Sequence, residues 1–210
     1  MRKNPKQERS YQSVETIYLA VAKILDEEEL SQFSTNKLAK ISGFSIGTIY
    51  QYFSNKDSVI ISMIHFYHTK IIDRFVTYLN NVNVTHVPLE AAMDNFTELA
   101  IDSYCSSIRW KKSLQRIGWI KESELESQKG YELVGNALHS LVDRYNKAGM
   151  INTKPPCKDL QFIILRTVCG CLRYSTLVNY QFENPFLLKK SLSSVIMTLL
   201  NNQTITKQEV

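Results

Sequence analysis

Ser34-Thr35-Asn36-Lys37-Leu38-Ala39-Lys40-Ile41-Ser42-Gly43-Phe44-Ser45-Ile46-Gly47-Thr48-Ile49-Tyr50-Gln51-Tyr52-Phe53-Ser54-Asn55-Lys56-Asp57 is the stretch whose reading decides the fold. It reads as two short helices joined by a tight turn. Ser34 offers a side-chain acceptor at the start of a helix over Thr35 to Ile41, with Leu38 and Ile41 pointing inward. Gly43 stands where a helix end needs a left-handed backbone, which glycine adopts without steric cost. Ser45 caps a second helix, Ile46 to Tyr52, whose Ile49 and the following Phe53 lie one turn apart on the buried side. Ala39 is small enough to let the second helix cross the first, and Phe44 plugs the turn. The pattern predicts a helix-turn-helix over residues 34–53. Ser45, Ile46, Thr48, Gln51 and Tyr52 are left to face out. Gly47 has no side chain, so the backbone of the helix can come close to a partner there.

Working outward, the flanking segments carry the same helical period. Val14, Ile17, Tyr18, Val21, Ile24 and Leu25 form one apolar stripe over Ser13 to Asp26, followed by the acidic run Asp26 to Glu29. Ser54 or Asn55 caps a helix from Lys56 to about Phe75, with Ile60, Met63, Ile64, Tyr67 and Ile71 inward. Pro88 suits the first turn of the next helix, whose face is Leu89, Ala92, Met93, Phe96 and Ala100. Residues 106–120 carry Trp110 and Trp119 and are less regular. Further helices are expected over Glu124 to Lys147, Lys158 to Val178 and, after the Asn184-Pro185 cap, to about Leu200. The inward stripes of the last two include Ile163, Cys171 and Val195. The fold class expected is all-α, about nine helices. A basic arm spans 1–10, a helix-turn-helix domain 11–71 and a C-terminal helical domain 72–210.

Composition agrees with that class. Seven Gly and five Pro in 210 residues are too few for an all-β fold built on tight turns, and 44% hydrophobic content supports a real core. The net charge of +5 is mildly basic and does not by itself mark a nucleic-acid binder. Arg2, Lys3, Lys6 and Arg9 face only Glu8 in the first nine residues, an arm suited to phosphates. The first residues lack an apolar leader, and no run reaches the roughly 18 apolar residues of a membrane span. A cytoplasmic protein with its four cysteines reduced is expected.

The quoted stretch resembles the DNA-binding motif of the tetracycline-repressor (TetR) family of bacterial regulators. The family's order is a small-polar pair, Leu/Ile-Ala, Gly-apolar-Ser, Gly-Thr-apolar-Tyr, aromatic-Phe, then Asn-Lys-acidic. Here those elements are Ser34-Thr35, Leu38-Ala39, Gly43-Phe44-Ser45, Gly47-Thr48-Ile49-Tyr50, Tyr52-Phe53 and Asn55-Lys56-Asp57, without gaps. The resemblance covers about residues 11–71. The chain departs from the family in reading Glu29-Leu30-Ser31-Gln32-Phe33, where a Gly usually separates the first two helices, and Asn36, where a basic residue is common.

The resemblance implies a DNA-binding transcriptional regulator, a ligand-responsive repressor acting as a homodimer on a palindromic operator in double-stranded DNA. It implies no enzyme and no cofactor. Thr35, Asn36, Lys37, Thr48, Tyr50, Tyr52 and Lys56 take the positions that touch phosphates or bases. Ser45, Ile46, Gly47 and Gln51 lie on the recognition helix. The chemistry agrees: hydroxyls and a Lys at a helix start suit phosphates, Gln51 suits adenine, and Ile46 suits a thymine methyl. The family's dimer forms through the last two long helices, here 158–178 and 185–200, where Gly170 permits close approach. A small-molecule effector is implied in the C-terminal domain, with Met93, Phe96, Tyr104, Trp110 and Trp119 as candidate walls. The alternative is a helical ligand-binding or adaptor protein of the same fold without operator binding. His65 and His68 lack a third metal ligand, so no metal site is expected. No nucleophilic triad or phosphate loop stands out.

Overall fold

The computed structural model describes residues 8–121 and 124–202; the side chains of 8–9, 119–121 and 124–127 fall outside the description. The basic arm is therefore beyond the described residues apart from its last few positions, and the side chain of Trp119 is outside them as well. In chain order the helices are α1 (Glu8–Glu27), α2 (Thr35–Ser42), α3 (Ile46–Tyr52), α4 (Lys56–Asn81), α5 (Leu89–Tyr104), α6 (Arg109–Lys121), α7 (Glu124–Lys147), α8 (Lys158–Leu177) and α9 (Pro185–Asn201). A single 3-10 turn, Leu30–Gln32, lies between α1 and α2. Among the described residues there is no strand, and the fold is all-α.

Helix boundaries follow local chemistry. Ser34 accepts from the Lys37 amide and Ser45 from the Thr48 amide, so each short helix starts on a hydroxyl cap. Gly43 ends α2 at φ 73°, the left-handed position expected of it. Asn55 caps α4. The Ser58 amide donates to Asn55 Oδ1 (2.8 Å) and the Asn55 amide to Ser58 Oγ (3.1 Å), a reciprocal box that accounts for the Asn before Lys56. Asn184 accepts from the Leu187 amide at 3.0 Å, with Pro185 in the first turn of α9. Two helices exceed their sequence expectation: α1 starts at Glu8 rather than Ser13, and α4 runs to Asn81 rather than Phe75.

The chain forms two compact units. The first runs to His68 and takes up again from Ser106 through α6; the second holds the rest. This differs from a single cut near residue 71, because α6 packs against α1 and shares the core on which the helix-turn-helix sits. In the first unit, Ile17, Ile24, Leu25, Leu38, Ile49, Phe53 and Met63 are fully buried, and α6 adds Leu114 and Ile117. In the second, the tail of α4, α5, α7, α8 and α9 close on Phe75, Leu79, Phe96, Leu138, Tyr145, Leu172 and Ile196. The Arg144 guanidinium donates to the carbonyls of Leu79, Asn80 and Val82, which satisfies the free end of α4. Lys189 and Lys190 pair with Glu98 and Asp94 of α5, and Lys190 holds the Asp94 carboxyl below its usual range. Burial pushes the Cys169 thiol up to about 12, and all four cysteines are free.

Candidate nucleic-acid interface

The helix-turn-helix is built as a platform. Leu38 of α2, Ile49 in the middle of α3 and Phe53 at its C-cap are buried to within 1%. They seat the pair on α1, where Tyr18 lies 6.2 Å from the Phe53 ring and bonds through its hydroxyl to Ser62 at 2.6 Å. Burial raises the Tyr18 phenol above its ordinary value, and the Ser62 bond offsets part of that. Ala39 and Phe44 are half-buried against the same core, as crossing point and plug.

What the platform holds up is the opposite side of α3. Ser45, Ile46, Gly47, Tyr50 and Gln51 are exposed, and Thr48 is half-exposed. Ile46 and Tyr50, at 39% and 40% accessible, are large side chains left uncovered by this chain. A Cβ placed on Gly47 would meet only Ser45 Oγ, at 3.7 Å, so nothing within the protein requires glycine there. Thr35 and Asn36 flank α3 from the start of α2, and the Tyr50 hydroxyl reaches Thr35 Oγ1 at 3.5 Å. Lys56, the first residue of α4, is exposed. The surface therefore gathers hydroxyls, amides and a lysine around one slim helix, a set that suits phosphate and base edges.

Two expected contact residues have other engagements. Tyr52 is turned inward: it is buried, with its ring 6.4 Å from Phe53. The helical period explains this, because Tyr52 lies three residues after Ile49 on the same face. The ammonium of Lys37 is paired with Glu28, beyond the end of α1. The expected effector walls do not gather either. Met93, Phe96 and Tyr104 are buried in the second unit. Trp110 belongs to the first, stacked 4.8 Å from Tyr67. A half-open groove of about 300 Å³ lies instead between α7 and α8. There Arg166 stacks 4.3 Å over the Tyr131 ring, beside Phe162. Its residues are spread over two helices with no motif, so sequence reading had no signal for it.

Residues 17–63 match the family model described as bacterial regulatory proteins, tetR family. No curated protein sequence matches the chain. Solved structures with a similar fold include a TetR-family transcriptional regulator from Mesorhizobium loti, with TM-score 0.71 and 14% identity over 92% of this chain and 98% of that one. Another is GusR from Salmonella enterica (TM-score 0.64, 17% identity, 94% and 99% covered). A third is the regulator FadR from Bacillus subtilis in complex with stearoyl-CoA (TM-score 0.61, 17% identity, 89% and 97% covered). At these identities the likeness is one of fold. Among the described residues no helix is long and apolar enough to cross a membrane, and no group of His, Cys, Asp or Glu is placed to hold a metal.

Proposed function

We propose, on the premise that this chain is a tetR-family regulatory protein, that it binds a palindromic operator as a homodimer and represses transcription until an effector releases it. The observation that carries the reading is the uncovered side of α3, with Ile46 and Tyr50 exposed and open space over Gly47. Gln51 and Ser45 face the bases, with Ile46 against a thymine methyl. Thr35, Asn36, Thr48, Tyr50 and Lys56 fix the register on phosphates. Lys37 adds charge nearby while bound to Glu28.

The test is selection of bound fragments from a random or genomic DNA pool, which is expected to return a two-fold symmetric site. Binding to that site should weaken steeply with salt, because each neutralised phosphate releases counterions. Lys56→Ala should lower affinity for all sequences alike and flatten the salt slope by roughly one unit. A pool that yields no preferred sequence, with binding insensitive to salt, sinks the operator reading and favours an adaptor of the same fold.

The dimer is proposed through the outward sides of α8 and α9. Ile163 and Tyr174 on α8, Val178 at its C-cap, and Leu187 and Val195 on α9 are between 37% and 60% exposed. This departs from the inward placement expected of Ile163 and Val195. Gly170 sits inside α8 with nothing within 4 Å of an added Cβ. A mid-helix glycine costs about 1 kcal/mol against alanine, and no contact within this chain accounts for it. A second copy seated on this face would account for both features. Gly170→Arg should convert dimer to monomer in sedimentation and weaken operator binding by at least about a hundredfold, since one half-site alone remains engaged. A dimer of unchanged stability would remove α8 from the interface. An effector is proposed for the second unit, where Met93, Phe96 and Tyr104 are the apolar candidates. It would act by favouring a conformer whose two recognition helices no longer match the half-site spacing.

A further inference from the structure

The acidic run Asp26-Glu27-Glu28-Glu29 closes α1 and runs against elementary helix electrostatics. Carboxylates are unfavourable at a helix C-terminus, where the carbonyl ends already carry negative partial charge, and α1 has no basic residue in its last turn. The structure shows what holds them. The Arg109 guanidinium, from the start of α6, donates to the carbonyls of Asp26 (3.3 Å) and Glu27 (3.5 Å) and to the Glu29 carboxylate (3.1 Å). In return Asp26 Oδ1 accepts the Trp110 amide at 2.9 Å, which caps α6. Each helix thus caps the other, negative end to positive end. The remaining carboxylate, Glu28, takes the Lys37 ammonium of α2. One turn of chain therefore bonds α6 on one side and the helix-turn-helix on the other.

A second path joins the same elements. Trp110 of α6 lies 4.8 Å from Tyr67, Tyr67 5.4 Å from Phe66, Phe66 5.1 Å from Tyr18, and Tyr18 6.2 Å from Phe53 at the end of α3. So α6 reaches the start of α2 through charge and the end of α3 through packed rings. In sequence α6 lies between α5 and α7, both of the second unit.

We propose that Asp26 and Arg109 are positioning residues for DNA recognition: the acidic turn sets the pose of α2 and α3 according to where α6 stands. The inference rests on the DNA-binding reading for its consequence but not for its structural claim. A single exposed ion pair contributes little, and Glu29 is 80% exposed. The turn acts as a unit because two helix ends and two cations share it, with charge-assisted bonds at both caps.

The test has two arms on the full chain. In the free protein, Arg109→Ala should lower amide-exchange protection in α2 by about tenfold, although the bonds Arg109 makes are to α1 and not to α2. Its effect should not add to that of Glu28→Gln, because both act through one turn. Asp26→Asn keeps an oxygen acceptor for the Trp110 amide and should retain protection in α6, whereas Asp26→Ala should lose it. On the selected DNA site, Arg109→Ala should weaken binding by about tenfold with an unchanged salt slope, since no phosphate contact is removed. If Arg109→Ala does not fold, Arg109→Lys keeps the charge but not the fork, and should show the same losses in reduced measure. Protection in α2 and DNA affinity both at wild-type values, with loosening confined to the ends of α1 and α6, would overturn the proposal. If the wild-type chain selects no site at all, the DNA-binding reading fails, while the exchange arm still decides whether the turn couples α6 to α2.

Discussion

Replacing Gly47 by glutamate is expected to abolish operator binding while the protein stays folded and melts at or slightly above its usual temperature. The two halves of that result come from separate facts. Inside the protein the new side chain has room: its Cβ would meet only Ser45 Oγ, at 3.7 Å. Any non-glycine residue also recovers up to about 1 kcal/mol of helix propensity. A carboxylate in the first turn of α3 is favoured by the helix dipole by a further few tenths to 1 kcal/mol. Against DNA the same group is doubly wrong. On the proposed reading it would occupy the space through which the backbone of α3 approaches the groove and bring negative charge among phosphates. Affinity on the selected site and a thermal melt measure the two halves independently. A variant that footprints like the wild type would show that α3 does not enter the groove at this point.

Phe53→Ala should have the opposite signature, with stability lost first and binding lost as a result. Phe53 is fully buried at the end of α3, with Tyr18 packed 6.2 Å from its ring. Truncation of such a phenylalanine costs about 3–5 kcal/mol through lost burial and an unfilled cavity, a large fraction of the stability of an ordinary domain. Both tryptophans lie on α6, and Trp110 belongs to the same core, so tryptophan fluorescence in urea reports on this unit. The fluorescence midpoint should fall sharply. Circular dichroism should show a separate, later step if the second unit retains its helices. A single transition at the wild-type midpoint would mean that Phe53 does not hold the platform.

Much of the helical framework, the helix-turn-helix included, was legible in the sequence because it is written in local chemistry. The caps at Ser34, Ser45 and Asn184 and the left-handed turn at Gly43 each need only a few neighbouring residues, and each appears where expected. What escaped depends on distant partners or on face assignment. The bond between Asp26 and Trp110 spans 84 residues, and no periodicity within residues 106–120 announces that α6 belongs with the helix-turn-helix. Tyr52 carries the polar tip of a contact residue, but its position relative to Ile49 sends it into the core. Ile163 and Val195 fit a helical stripe, yet periodicity says only that a side chain is apolar. It does not say whether the surface meant to cover it is the chain's own. The candidate effector walls share only an apolar, largely aromatic character, which does not distinguish Trp110 in one unit from Phe96 in the other.

Because Leu114 and Ile117 of α6 belong to the same core as residues of α2 and α3, the unit that carries the helix-turn-helix is not contiguous along the chain. On the ribosome, α3 is synthesised long before its support is complete, and α4, α5 and most of α6 must emerge before that core can close. On the proposed reading, a nascent chain of this design would not bind DNA early in its own translation. For the same reason a fragment cut after α4 would leave apolar surface bare rather than yield a working miniature.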